Sequence, residues 1–215
     1  MFYLEEFDKE TLRFGDVLQG YIHSELIIGE PYNEISINEY KYQIDTVFPK
    51  FSVVMTPCCS IGKNTISLAP LRKIVRNFFR HPDVVNDFTL LNREIEPQLT
   101  FPPEYWDNMD EEEQKQRSKV GKSLEFLSYF FYEQTDLFPE YEIQTKNHTF
   151  KSSYYMVDFK TIHSLTCNKI IKDKVQSEIL QSKCLELTVY TRKELRDKLA
   201  YYFGRAAPED EVYLH

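Results

Sequence analysis

The strongest constraint on the fold is a short apolar run at residues 51–56, FSVVMT, which lies between Pro49 and Pro57. The run is rich in apolar and β-branched residues and is too short for a helix, so it predicts a buried strand. Residues 64–71, NTISLAPL, alternate apolar and polar side chains after a Gly-Lys turn. Their pattern predicts a second strand that pairs with the first as a hairpin.

Three more strands are predicted upstream, at residues 16–22, 24–29 and 40–48, from alternation and from the turn residues between them. The predicted fold class is therefore α+β, as a single domain over residues 1–215. Its β-rich sub-region, 1–71, is expected to form a small antiparallel β sheet or half-open barrel. The remainder, 72–215, is expected to be mainly helical and packed on the sheet, with a strand near 152–162.

Helical patterns begin where the strand patterns end. Residues 71–79 place apolar side chains at helical spacing and predict an amphipathic helix. Residues 102–134 carry acidic residues before basic ones, which suits a helix with a solvated charged face. The last helix is predicted to begin at a capping box of Thr191 and Glu194, and to bury the face that contains Leu195, Leu199 and Tyr202.

Charge is distributed unevenly along the chain. The net charge of −8 argues against a general nucleic-acid coat. Residues 46–82, however, contain no acidic residue. Their basic residues are candidates for phosphate or nucleic-acid binding: Lys50, Lys63, Arg72, Lys73, Arg76 and Arg80. The same segment could instead pair with the acidic N-terminal segment of its own fold.

Two adjacent cysteines, Cys58 and Cys59, follow the first strand of the hairpin. Each could be a reactive thiol activated by Lys63, or a small buried residue. A zinc site would need further ligands, for which the candidates are His163, Cys167 and Cys184 in addition to the adjacent pair. The spacing does not match two paired zinc ligand motifs, so no metal is favoured and no cofactor is predicted.

The N-terminus lacks a basic segment followed by an apolar one, which predicts that no signal peptide is present. No stretch approaches the roughly 18 apolar residues that a membrane span requires. We therefore expect a cytoplasmic protein without a membrane partner.

Two resemblances involve the residues already described. Gly15-Asp16-Val17, the strand ending at Thr56 and Ala69-Pro70-Leu71 resemble the opening of the MazF/PemK toxin barrels. This resemblance implies a small barrel with endoribonuclease activity, with Thr56 at the position of the family's strand-end Ser/Thr. The Gly-Asp strand, the loop with the pattern V-[LM]-[ST]-x-x-C and the closing helix are also similar to uncharacterised bacterial proteins encoded near mobile-element or defence genes.

Three hypotheses about function follow from these patterns. The first is a non-enzymatic interaction or regulatory subunit of a bacterial multi-gene system of the defence or stress type, with a protein partner. The second is a MazF-like RNA-binding protein or endoribonuclease. The third is a thiol-dependent enzyme or redox sensor at the cysteine loop, for which Thr56, Cys58 and Cys59 are the candidate catalytic residues.

Overall fold

The computed structural model describes residues 1–21, 23–28, 42–61, 65–74, 87–93, 98, 103–120, 126–144, 149–166 and 178–204. Its strands are β1 (Val17–Gln19), β2 (His23–Ile28), β3 (Tyr42–Val47), β4 (Phe51–Val54), β5 (Thr65–Pro70), β6 (Arg72–Lys73), β7 (Tyr129–Tyr132), β8 (Tyr141–Gln144), β9 (Thr149–Ser152), β10 (Tyr155–Asp158), β11 (His163–Thr166) and β12 (Lys183–Leu185). Its α-helices are α1 (Pro103–Asp107), α2 (Glu111–Val120), α3 (Glu178–Gln181) and α4 (Val189–Gly204). The described strands pair antiparallel, which confirms the α+β class.

The chain forms two compact units, a sheet unit and a helix unit. The sheet unit consists of Phe7–Pro70 and Ile162–Glu186. The helix unit consists of Met1–Glu6, Leu71–Thr161 and Leu187–His215. Because compactness alone does not establish independent folding, the single domain stays a prediction.

The sheet unit contains a five-stranded sheet in the order β11-β5-β4-β1-β12 and a separate β2-β3 pair. All five strands predicted in the first third of the sequence are present. The predicted hairpin is confirmed by the pairing of Val53 with Ala69 and of Val54 with Leu68. Strands β11 and β12 are the two edges, and no described strand joins them, so this sheet is not a closed barrel.

The sheet unit is buried on both faces of β4, and a cluster of aliphatic side chains packs in its core. All four residues of β4 are buried. The buried side chains that pack together are Leu12, Leu18, Val54, Ile61, Ile66, Leu68, Ile179 and Leu180. Helix α3 supplies the last two, so this short helix covers the apolar face that residues 12–68 present.

The helix unit contains more β structure than the sequence predicted. It holds a three-stranded sheet in the order β6-β10-β7 and a β8-β9 hairpin. The helix predicted over residues 71–79 is wrong at its start, because Arg72 and Lys73 pair with Met156 and Tyr155 as strand β6. Residues 75–80 lie outside the described residues. The mainly helical remainder is therefore confirmed only in part.

A second correction concerns the long helix predicted over residues 102–134. Helices α1 and α2 occupy its first half, as expected. Residues 129–132, YFFY, instead form strand β7 and pair with all four residues of β10. Aromatic side chains favour strands when a paired strand and a buried face are available, and three of these four residues are buried.

Helix α4 begins one turn earlier than its predicted capping box. The hydroxyl oxygen of Thr188 accepts a hydrogen bond from the Thr191 N–H at 3.3 Å. The Thr188 carbonyl accepts the first helical hydrogen bond, from the Arg192 N–H at 2.9 Å. Thr188 is therefore the N-cap residue, and the capping box of Thr191 and Glu194 is wrong. On the predicted face, Leu195 is fully buried, whereas Leu199 and Tyr202 are half-buried.

We expect Thr188→Ala to lower the free energy of unfolding by about 0.5–2 kcal/mol, because it removes the hydroxyl that caps helix α4. Chemical denaturation at constant pH measures the loss. Thr188→Ser is the matched control, since it keeps the hydroxyl and should retain most of the stability. Equal losses for the two substitutions would contradict the capping role.

Candidate functional site

The two adjacent cysteines lie in different environments. They form a single 3-10 turn, Cys58–Ser60, after β4. Cys58 is half-buried, and its sulfur accepts a hydrogen bond from the Phe14 N–H at 3.3 Å. Cys59 is exposed, and its sulfur lies 3.8 Å from the hydroxyl oxygen of Ser60. Cys58 thus helps to hold the segment before β1. For Cys59, the contact with Ser60 is the one hydrogen bond described.

The other candidate zinc ligands are spread over the sheet unit. Cys184 lies on β12, and its thiol donates a hydrogen bond to the Val17 carbonyl at 3.4 Å. Burial raises the pKa of the Cys184 thiol to about 11, which keeps it protonated and a poor metal ligand. His163 lies on the edge strand β11, and Cys167 lies outside the described residues. Within the described residues, no three His, Cys, Asp or Glu side chains are grouped to hold a metal ion.

The structure gives Thr56 a structural contact. Its side chain is buried, and its hydroxyl oxygen accepts a hydrogen bond from the Ser67 N–H at 2.6 Å. The bond joins the end of one hairpin strand to the other. Thr56 therefore closes the β4-β5 hairpin.

The candidate basic residues divide between the two units. Lys50 belongs to the sheet unit, and its ammonium lies 5.6 Å from the centre of the Phe51 ring. Arg72 and Lys73 belong to the helix unit, where the Lys73 ammonium lies 5.3 Å from the Tyr141 ring centre. Lys63, Arg76 and Arg80 lie outside the described residues. That these basic side chains form one phosphate-binding surface stays a prediction.

A group of charged side chains that the sequence did not predict lies in the sheet unit. We call it the charge cluster, and its members are Asp8, Arg13, Asp16, Lys183 and Glu186. The Lys183 ammonium lies 2.9 Å from Asp16 Oδ2 and 2.7 Å from Glu186 Oε2. These three side chains are fully buried. The Arg13 guanidinium donates to Glu186 Oε1 at 2.5 Å and to Asp8 Oδ2 at 3.2 Å. Arg13 and Asp8 form the more exposed rim of the cluster.

Lys183 also fixes the backbone of the N-terminal segment. Its ammonium donates to the carbonyl oxygens of Asp8 at 2.8 Å and Thr11 at 2.9 Å. The Phe7 ring centre lies 5.6 Å from the same ammonium. One buried lysine on β12 therefore attaches residues 7–16 to the sheet.

The two buried carboxyl groups of the charge cluster have opposite pKa shifts. Burial raises the pKa of Asp16 to about 6, against the opposing effect of Lys183. Burial would also raise the pKa of Glu186, but hydrogen bonds and charge from Lys183 and Arg13 outweigh it and hold that pKa below its ordinary value.

A lysine with a shifted pKa lies in the helix unit. The Lys198 side chain on α4 donates a hydrogen bond to the Leu91 carbonyl. Its ammonium lies 5.9 Å from the centre of the Phe131 ring. Burial lowers the pKa of this amine to about 7. Lys198 therefore helps to hold α4 against the 3-10 turn Phe88–Asn92.

Three exposed apolar side chains belong to residues at or beside the start of α4. We call Met1, Val189 and Tyr190 the helix-start patch, and their exposed fractions are 87%, 72% and 84%. Met1 is held there because its carbonyl oxygen accepts a hydrogen bond from the Thr188 hydroxyl at 3.5 Å. The first turn of α4 contains no acidic residue.

No helix in the described part of the chain is long and apolar enough to cross a membrane. No protein-family model matches the chain, and comparisons with curated proteins and with solved structures also give no match. The two sequence resemblances therefore stay predictions.

Proposed function

We propose that the protein is a non-enzymatic interaction or regulatory subunit that binds another protein through the helix-start patch. The observation that carries this proposal is the exposure of Met1, Val189 and Tyr190 on neighbouring backbone positions of the helix unit. Large apolar and aromatic side chains at the centre of a contact supply most of the energy of protein association. A bacterial multi-gene system of the defence or stress type is the proposed setting, in keeping with the second resemblance.

The charges around the patch favour a particular kind of partner. The N-terminus of a helix carries a partial positive charge, and the first turn of α4 has no acidic side chain to offset it. Arg192 and Lys193 follow after Thr191, and the Lys193 side chain is 65% exposed and pairs with Asp197 at 2.6 Å. The proposed partner is therefore a protein whose contact surface is apolar and is bordered by carboxylates.

The test is an affinity purification of the full chain from its native host, followed by binding measurements with the recovered protein. The double substitution Val189→Ser with Tyr190→Ser should weaken binding at least roughly 30-fold, because two exposed anchors are lost. Tyr105→Ser is the matched control, since Tyr105 is an exposed aromatic residue outside the patch. That control should bind like the unmodified protein.

Three results would contradict the proposal. One is the absence of any stoichiometric partner. Another is a partner that binds the double variant as tightly as the unmodified chain. The third is a concentration-dependent homodimer that the double substitution abolishes, because the patch would then bind a second copy of the chain.

A further inference from the structure

The fully buried part of the charge cluster is not electrically balanced when all its groups are ionised. Asp16 and Glu186 are two carboxylates, and Lys183 is the one ammonium buried with them. Arg13 and Asp8 lie at the rim with about a third of each side chain exposed, and they oppose each other's charge. Because an uncompensated buried charge is costly, one buried carboxyl group is expected to bind a proton.

The hydrogen bonds show which carboxyl group is the weaker anion. Both oxygens of Glu186 are satisfied: Oε1 accepts from Arg13, and Oε2 accepts from Lys183 and from the Asp8 N–H at 3.2 Å. Asp16 accepts only through Oδ2, from Lys183 and from the Arg13 N–H at 2.7 Å. Its buried Oδ1 has no hydrogen-bond partner within the described residues. The ionised form of Asp16 is therefore less well stabilised than that of Glu186.

We propose that Asp16 is the proton-binding group of the charge cluster, and that this proton stabilises the sheet unit and makes its folding sensitive to pH. A proton on Asp16 leaves one buried carboxylate, Glu186, against one buried ammonium, Lys183. The shift of the Asp16 pKa to about 6 agrees with this assignment. Lys183 also holds residues 7–16 on the sheet, so the proton affects the attachment of that whole segment.

The groups that face Asp16 come from two parts of the sheet unit. Residues 8–13 contribute Arg13, whose side chain also pairs with Asp8, and the region of β12 contributes Lys183 and Glu186. Strand β4 adds the Val54 N–H, which donates to the Asp16 carbonyl at 2.9 Å, and its side chains carry no charge. Among the residues that the structure describes, no other charged side chain acts on Asp16.

The direction of the pH effect follows from the raised pKa. The stability contributed by the Asp16 proton is fully present below the ordinary value of 3.8, and it is lost as pH rises through about 6. Asp8 and Glu186 act in the opposite direction, since their pKa values are lowered and their contribution is lost only in more acidic solution. Lys198 lies in the helix unit, and its pKa is lowered to about 7. Its titration therefore changes stability mainly at pH values above those at which Asp16 loses its proton.

The direct test is an NMR titration of the full chain labelled with ¹³C at aspartate carboxyl groups. Asp16 should titrate near pH 6, well above the ordinary value of an aspartate. An Asp16 resonance with an ordinary midpoint near 4 would overturn the proposal. This measurement uses the unmodified protein, so it decides the question even if a variant does not fold.

The second test compares the pH dependence of unfolding in Asp16→Asn and in Asp136→Asn. From pH 4.5 to 7.5, the unfolding equilibrium constant of the unmodified protein should rise about 30-fold from the Asp16 shift alone. Asp16→Asn imitates the protonated group and should remove that rise, whereas Asp136→Asn, at an exposed side chain, should keep it. Equal pH dependence in the two variants would contradict the assignment.

Discussion

Lys183→Met is expected to lower the free energy of unfolding by about 3–5 kcal/mol at pH 7, because it leaves two buried carboxyl groups without their ammonium. The substitution keeps a flexible apolar side chain of similar length. It removes the donor to Asp16 Oδ2 and Glu186 Oε2, and also the donor to the carbonyl oxygens of Asp8 and Thr11. Chemical denaturation of the full chain at pH 7 measures the loss.

Lys193→Met is the matched control for this prediction. Lys193 forms an exposed pair with Asp197 on α4 at 2.6 Å, and such pairs contribute about 0–1 kcal/mol. The loss in Lys183→Met should shrink at pH 5, where Asp16 is protonated and Glu186, which keeps its bond to Arg13, is the one buried carboxylate of the charge cluster left without the ammonium. A loss below about 1 kcal/mol at pH 7 would show that the charge cluster does not hold the sheet unit together.

Local patterns were sufficient to predict the first third of the fold. The β4-β5 hairpin follows from residues that are close in sequence: an apolar run between prolines, a turn and an alternating run. Strand β6 could not be predicted in this way. Arg72 and Lys73 continue an amphipathic helical pattern, but pairing with β10, more than 80 residues later in the chain, determines their conformation.

The charge cluster was not predicted for the same reason. The sequence predicts only that Asp16 begins a strand, and it predicts no element around Lys183 and Glu186. Their contact spans 167 residues of sequence, and nothing local indicates it. One signal was available: a lysine and a glutamate three residues apart within the otherwise apolar run around β12. Charged residues inside a short buried strand indicate a buried ion pair somewhere in the fold.

The N-cap of α4 shows a smaller limit of local patterns. Thr188 and Thr191 are both followed by helix-forming sequence, and either could cap a helix. Thr188 is selected because the N-terminal segment lies beside it. The Thr188 N–H donates to the Phe2 carbonyl at 3.1 Å, and its hydroxyl contacts the Met1 carbonyl. The same two contacts place Met1 in the helix-start patch. The cap and the proposed interface therefore both depend on where the N-terminal segment lies.

The second large effect is expected at Asn92, whose side chain substitutes for a strand beside β7. Its Nδ2 donates to the Phe131 carbonyl at 2.7 Å, and its Oδ1 accepts from the Phe131 N–H at 2.7 Å. Asn92→Ala leaves both backbone groups buried without partners. Since each such group costs about 1–3 kcal/mol, the free energy of unfolding should fall by roughly 2–5 kcal/mol. Chemical denaturation of the full chain measures this loss of stability.

Asn108→Ala is the matched control, because the Asn108 amide donates to the Glu104 carbonyl at 2.6 Å on an exposed surface. Its loss should stay within about 0.5 kcal/mol. Hydrogen exchange gives a residue-level readout: the Phe131 amide should lose protection in Asn92→Ala and keep it in Asn108→Ala. If the Phe131 amide stays protected and stability is unchanged, another group must satisfy this edge of β7. The aromatic packing of Phe88 on Phe131, with ring centres 6.0 Å apart, would then hold the strand without the asparagine.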